Sequence, residues 1–113
     1  MSPTKSLAMS QIRDAAPLFA ALGDETRMRL LARLSAGGPE SITRLGAEAD
    51  VSRQAITKHL TVLSNAGLIR GERRGRERIW RLETKRLGEA LQYLEAISRQ
   101  WDDALARLKK FVE

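Results

Sequence analysis

Six polar side chains sit at helical spacing in the middle of this chain: Ser52, Arg53, Gln54, Thr57, Lys58 and Thr61. Wound as a helix, they share one side, while Ile56, Leu60 and Leu63 fall on the other. Arginine offers a planar fork of donors that fits a guanine edge. Glutamine pairs a donor with an acceptor, as an adenine edge requires. Threonine and lysine are types that hold phosphates, which position a helix without reading base order. Four more cations, Arg73, Arg74, Arg76 and Arg78, follow in a short run around Gly75. They are suited to phosphates or to a narrow minor groove. This is the chemistry of gripping a polyanion, not of making or breaking bonds.

Nothing else in the chain competes with that reading. The absence of cysteine excludes disulfides, thiolate metal sites and cysteine nucleophiles. His59 is the single histidine. Beside Lys58 and Leu60 it is expected as a half-buried structural side chain or a phosphate contact, rather than a base or a metal ligand. There is no glycine-rich phosphate loop and no histidine–acid–nucleophile set. Asp102 and Asp103 are adjacent, so a helix would turn them to different sides. No enzyme, no cofactor and no metal site are expected.

The charge is placed, not spread. The formal net charge is +6 and the isoelectric point about 10.5. The segment from Arg53 to Arg81 holds eight cations against two anions, Glu72 and Glu77, so it carries the whole excess. A concentration of this kind points to nucleic acid. Aromatic residues make up 4% of the chain and none lies in the arginine run, which disfavours base stacking on a single strand and leaves double-stranded DNA. No apolar run is long enough for a signal segment or a bilayer span, so the expectation is a cytoplasmic protein with no membrane partner.

The elements that must hold these side chains can be read from local signals. Residues 1–10 read as a flexible arm. A first helix is expected over about Gln11 to Leu22, with Pro17 as its start or kink and Gly23 in its C′ position. Asp24 is a good N-cap for a second helix, whose apolar side is Met28, Leu30, Leu31 and Leu34. Gly37-Gly38-Pro39 ends it. A third helix should begin near Ser41 or Thr43 and end near Ala49. Gly46 would let it cross its neighbour closely, and Asp50 would take the turn position that can need positive φ. Ser52 caps the fourth helix, Val51 and Ile56 can staple it, and Gly67 stops it with Leu68 folding back on Leu63. Two strands, Leu68 to Arg74 and Glu77 to Leu82, then close around Gly75-Arg76. Helix, turn, helix and cationic ribbon in this order make a winged helix-turn-helix over residues 11–84, mainly α with a small β-hairpin.

The remaining segment, 85–113, reads as a long helix. Leu87, Leu91, Leu94, Ser98, Trp101, Leu105, Leu108 and Val112 recur four and three residues apart, and Ala90, Ile97, Ala104 and Phe111 flank them. Such a helix runs roughly 42 Å, longer than one small domain can cover. A sustained seam of this kind calls for a second helix alongside, and hence a homodimer.

At this point the chain resembles the ArsR/SmtB family of bacterial transcriptional repressors. The stretches that carry the resemblance are Leu18 to Leu31, Val51 to Leu60, Leu63 to Ile69 and Gly75 to Leu82. The resemblance implies a dimer of winged helix-turn-helix domains joined through the first and last helices. Leu18, Leu87, Leu91, Leu94, Trp101, Leu105 and Leu108 would then lie at the interface. It also implies repression of the protein's own operon from an inverted-repeat operator, with release by an inducer. The metal-sensing signature of the family is missing: Ser41-Ile-Thr-Arg-Leu-Gly46 stands where cysteines would be, and the last helix has no histidine. A metal-independent subgroup is the closer resemblance. The alternatives are a metal- or small-molecule-responsive sensor of the same family, or a winged helix that binds another protein.

Overall fold

The structure, a computed structural model, describes residues 9–47 and 50–112. The helices are α1 (Met9–Leu22), α2 (Glu25–Gly37), α3 (Ile42–Ala47), α4 (Arg53–Asn65) and α5 (Thr84–Val112). Three strands, β1 (Glu40–Ser41), β2 (Ile69–Arg74) and β3 (Glu77–Leu82), form an antiparallel sheet in the order β1-β3-β2. This is the mainly α winged helix-turn-helix expected, with one strand more than the hairpin. Residues 1–8 of the expected arm, and the expected end of the third helix at Ala49, lie outside the described residues, while Met9 and Ser10 already belong to α1.

The local signals act where the sequence places them. Asp24 accepts the backbone N–H of Arg27 at 3.0 Å and starts α2. Ser52 accepts that of Ala55 at 3.1 Å and starts α4. Gly67, at φ 79°, donates to the Ser64 carbonyl at 2.9 Å, and Leu68 donates to the Leu63 carbonyl at 3.0 Å. Those two bonds are the Schellman pair, so α4 ends where a left-handed glycine lets it. Gly75, at φ 63°, makes the wing's turn.

The core is aliphatic, as a chain with few aromatics requires. Leu18, Leu45, Ile56, Leu60, Leu63 and Leu68 are each less than 2% exposed, and Trp80 closes the sheet side. One face of the ribbon, Ile69, Gly71, Trp80 and Leu82, turns toward the helices, because opposed residues in an antiparallel pair share a face.

Several expectations are corrected. Pro17 does not start α1, which begins at Met9 and runs through it. Pro17 and Arg13 are both exposed, so water can take the carbonyl that the missing amide leaves unpaired. Gly23 is not a left-handed cap, since only Gly38, Gly67 and Gly75 have positive φ among the described residues. An arginine described below takes the end of α1 instead. A side chain at Gly46 would meet nothing within 4 Å, so no close crossing depends on it. Met28 is 57% exposed rather than core. It lies roughly 100° around the helix from Arg27, off the buried line of Leu30, Leu31 and Leu34.

Candidate nucleic-acid interface

The residues expected to read DNA stand as a group on one helix. Ser52, Arg53, Gln54, Thr57, Lys58 and Thr61 are all exposed, while Ile56, Leu60 and Leu63 are completely buried behind them. Burial of that apolar line, about 1.5–3 kcal/mol for each large side chain, fixes which side faces out. Arg53, Gln54 and Lys58 make no side-chain hydrogen bond or ion pair with another described residue, so their donors are available. Ser52 uses its oxygen as an acceptor in the cap and keeps its hydroxyl hydrogen for a ligand. Thr57 and Thr61 differ from what was expected of them. Their hydroxyls donate to the carbonyls of Arg53 and Thr57, each at 2.9 Å, so a phosphate would have to replace that bond.

The wing divides its arginines. Arg73, Arg74 and Arg76 are exposed around the turn. Arg78 instead lies back along β3 with its guanidinium 5.4 Å from the ring centre of Trp80, within the range of a cation–π contact. Opposite Trp80 in the sheet is Gly71, and a Cβ there would approach the Arg78 Nε to 2.9 Å and the indole to 3.0 Å. Gly71 is therefore the notch that admits the indole. Two other cations are paired on the outer face: Arg81 with Glu72 at 2.8 Å and Arg70 with Glu83 at 3.8 Å. The cationic excess thus concentrates at the turn and along α4.

Sequence reasoning missed the residue that ties α4 to the rest of the domain. The Arg27 guanidinium donates to the Ala21 carbonyl at 2.6 Å and the Ala20 carbonyl at 3.2 Å, the open end of α1. Its third nitrogen lies 3.3 Å from His59 Nδ1, on α4. Asp24 lies 3.8 Å from the same ring nitrogen. Its carboxyl is held below the ordinary range, first by the Arg27 backbone N–H and then by the charges of His59 and Arg27, against partial burial. His59 is 22% exposed, the half-buried structural side chain the sequence suggested. A cation five residues beyond the end of α1 was the available signal, since helix carboxyl ends attract positive charge. A second missed pair joins α2 to β1: Arg33 grips Glu40 through two bonds of 3.0 and 2.9 Å. That grip, with Arg44 adding charge, pulls the Glu40 carboxyl below its usual range despite burial.

The expected dimer residues part into two sets. Leu18 is 1% exposed inside its own domain, so it has no surface left for a partner. Leu87 is half-buried against the same core. Leu91, Leu94, Trp101, Leu105 and Leu108 are 57%, 49%, 68%, 59% and 60% exposed. Every residue from Trp101 to Val112 is exposed, so α5 overhangs the domain by roughly 18 Å. The chain's radius of gyration of 18.2 Å exceeds the roughly 13 Å of a compact chain of this length for that reason. A cavity of about 210 Å³ lies between α1 and α5, with Leu18, Glu89 and Tyr93 in its wall, and Trp101 takes no part in it.

Comparison with known proteins agrees with this geometry. Residues 22–72 match the family model described as a helix-turn-helix domain. The HTH-type transcriptional regulator Rv2034 of Mycobacterium tuberculosis is 31% identical over 105 residues, which span 93% of this chain and 94% of that one. The uncharacterised HTH-type regulator YuzN of Bacillus subtilis is 44% identical over 68 residues, 55% of this chain and 74% of its own. Among solved structures, an ArsR-like transcriptional regulator from Rhodococcus sp. RHA1 superposes with a TM-score of 0.80 at 37% identity, covering 93% of this chain and 98% of that one. These relatives are regulators, not enzymes, and no helix among the described residues is long and apolar enough to cross a membrane. A capped helix with a polar outer face, a cationic wing and this likeness along nearly the full chain have one explanation: the protein belongs to the ArsR family of helix-turn-helix DNA-binding transcriptional regulators.

Proposed function

We propose that this regulator acts as a homodimeric repressor of its own operon, seated on an inverted-repeat operator. The observation that carries the reading is the uncovered stripe on α5. Leu91, Leu94, Trp101, Leu105 and Leu108 stay about half exposed or more after the domain has folded. Contiguous apolar surface of this kind marks an interface. A second copy supplies a matching stripe by symmetry and needs no other partner chemistry.

In this reading two copies of α4 enter successive major grooves, their centres roughly one helical turn apart. Arg53 and Gln54 read base edges. Lys58, Thr57 and Thr61 hold phosphates, the threonines after exchanging their helix carbonyls. Arg73, Arg74 and Arg76 grip the flanking backbone. A dimer seated across a promoter excludes polymerase, which is how such a module represses. Metal control has little to work with: the chain has no cysteine, and its one histidine faces a guanidinium at 3.3 Å.

Selection of bound duplexes from a random pool tests the reading, followed by footprinting and a reporter fused to the protein's own promoter. The expected result is a two-fold symmetric motif and a reporter silenced by the protein. Selected sequences without symmetry, or no enrichment above competitor DNA, overturn it.

A further inference from the structure

A second cationic feature lies away from the reading end of α4. Between the carboxyl end of that helix, the edge strand β2 and the start of α5 runs a groove of about 480 Å³. Arg70, Arg78, Lys85 and Arg86 line it against a single carboxylate, Glu83. Its other walls include Gly67 and Gly71, against which the Arg86 stem and the Arg78 side chain pack. Ser64, at its rim, is twelve residues along from Ser52, about 18 Å from the end that would face base edges.

Two details make this more than a charged surface. The Arg78 guanidinium is held in place, stacked 5.4 Å from the Trp80 ring centre and lying over the Gly71 notch. A planar fork immobilised in this way loses little entropy when it binds an oxyanion with two bonds. Arg86 is likewise fixed. It donates to the Asp14 carbonyl at 3.2 Å and pairs with Glu89, while its aliphatic stem covers Gly67. Lys85 and Arg78 make no ion pair with a described residue. The groove therefore presents fixed guanidinium groups and an uncompensated ammonium around one concave space.

The geometry points to a phosphate-binding site in this groove, distinct from the face of α4 that reads DNA. A phosphate suits it because the donors are guanidinium forks and an ammonium, with Glu83 already taken by Arg70 at 3.8 Å. The phosphate can belong to a small phosphorylated molecule or to the DNA backbone beyond the operator. Because the groove touches both β2 and the root of α5, an occupant there bridges the wing to the long helix.

The test uses the full chain with Trp101→Phe, which leaves Trp80, beside Arg78, as the lone tryptophan reporter. Inorganic pyrophosphate is titrated at constant ionic strength, with sodium chloride as the control. The expected result is a saturable change in emission. Combining Lys85→Gln with Arg70→Gln should weaken it about tenfold or more, while Arg76→Gln at the wing's turn leaves it unchanged. Pyrophosphate that also competes with long duplexes but not short ones identifies the DNA backbone as the source. Pyrophosphate that binds equally well to the protein–DNA complex identifies a free small phosphate. No saturable response, or equal weakening by Arg76→Gln, overturns the site. Either failure leaves operator reading by α4 untouched, because that is scored separately by base selection.

Discussion

Leu105→Gln isolates the dimer proposal from everything else the protein does. Leu105 keeps 59% of its surface exposed in the single chain, so the substitution removes little from the fold. Glutamine is also a good helix former. Full burial of a leucine is worth about 1.5–3 kcal/mol, so the exposed share leaves roughly 1–2 kcal/mol for an interface. A two-fold interface contains the residue twice, which doubles the loss to about 2–4 kcal/mol per dimer. That is about a thirty-fold to several-hundred-fold rise in the dimer dissociation constant. Sedimentation velocity over a dilution series reads that constant directly, and circular dichroism at each concentration checks that the helix persists. Adding Leu94→Gln should push the equilibrium further toward monomer. Operator affinity should fall with dimerisation and recover at high protein concentration. An unchanged dissociation constant, or a monomeric parent protein, would refute the argument from exposed leucines.

Other consequences follow from the interface and its supports. Gln54→Ala should cost about 1–3 kcal/mol at one operator position and relax base choice there, read by competition with single-base variants. Arg76→Ala should weaken all duplexes alike and reduce the salt slope by about one, and even losses in both variants would refute the division between reading and clamping. Arg27→Gln removes the bonds to Ala20, Ala21 and His59 and should lower the melting temperature by about 5 °C or more, with a parallel melt as the check. Asp24 and Glu40 have carboxyls held below their ordinary range in the fold. Their contribution is then complete above the unfolded-state values near pH 4 and is lost as pH falls through the lower, folded-state ones. Urea midpoints should hold steady from pH 7 to 5 and drop below about pH 4, and Glu40→Gln should shrink that drop.

Much of the fold, and the exposed polar face of the candidate site, was legible because its causes are local. Ser52 caps α4 three residues from the amide it accepts, Gly67 ends that helix by its own φ, and Gly75 makes the wing's turn. The outward set on α4 follows from the period of a helix, and the cationic excess from counting along the chain. What failed lies across distance in sequence. Leu18 and Leu105 are both leucines at helical spacing, yet one is sealed in its own domain and the other projects beyond it. Periodicity shows that a face is apolar but not what covers it. Met28 was misplaced for a related reason, since a stripe's edge is decided by what packs against it.

The amino-acid order alone determined where helices start and stop, which side of α4 is polar and where positive charge gathers, because each depends on residues within a turn or two of one another. Only the tertiary structure decided that Arg27 joins the end of α1 to His59, that Arg33 holds Glu40 beside a strand of two residues, and that Arg78 stacks on Trp80 over Gly71. Those pairings link residues far apart in the chain, and they form only once burial of the leucine core has fixed the elements against each other.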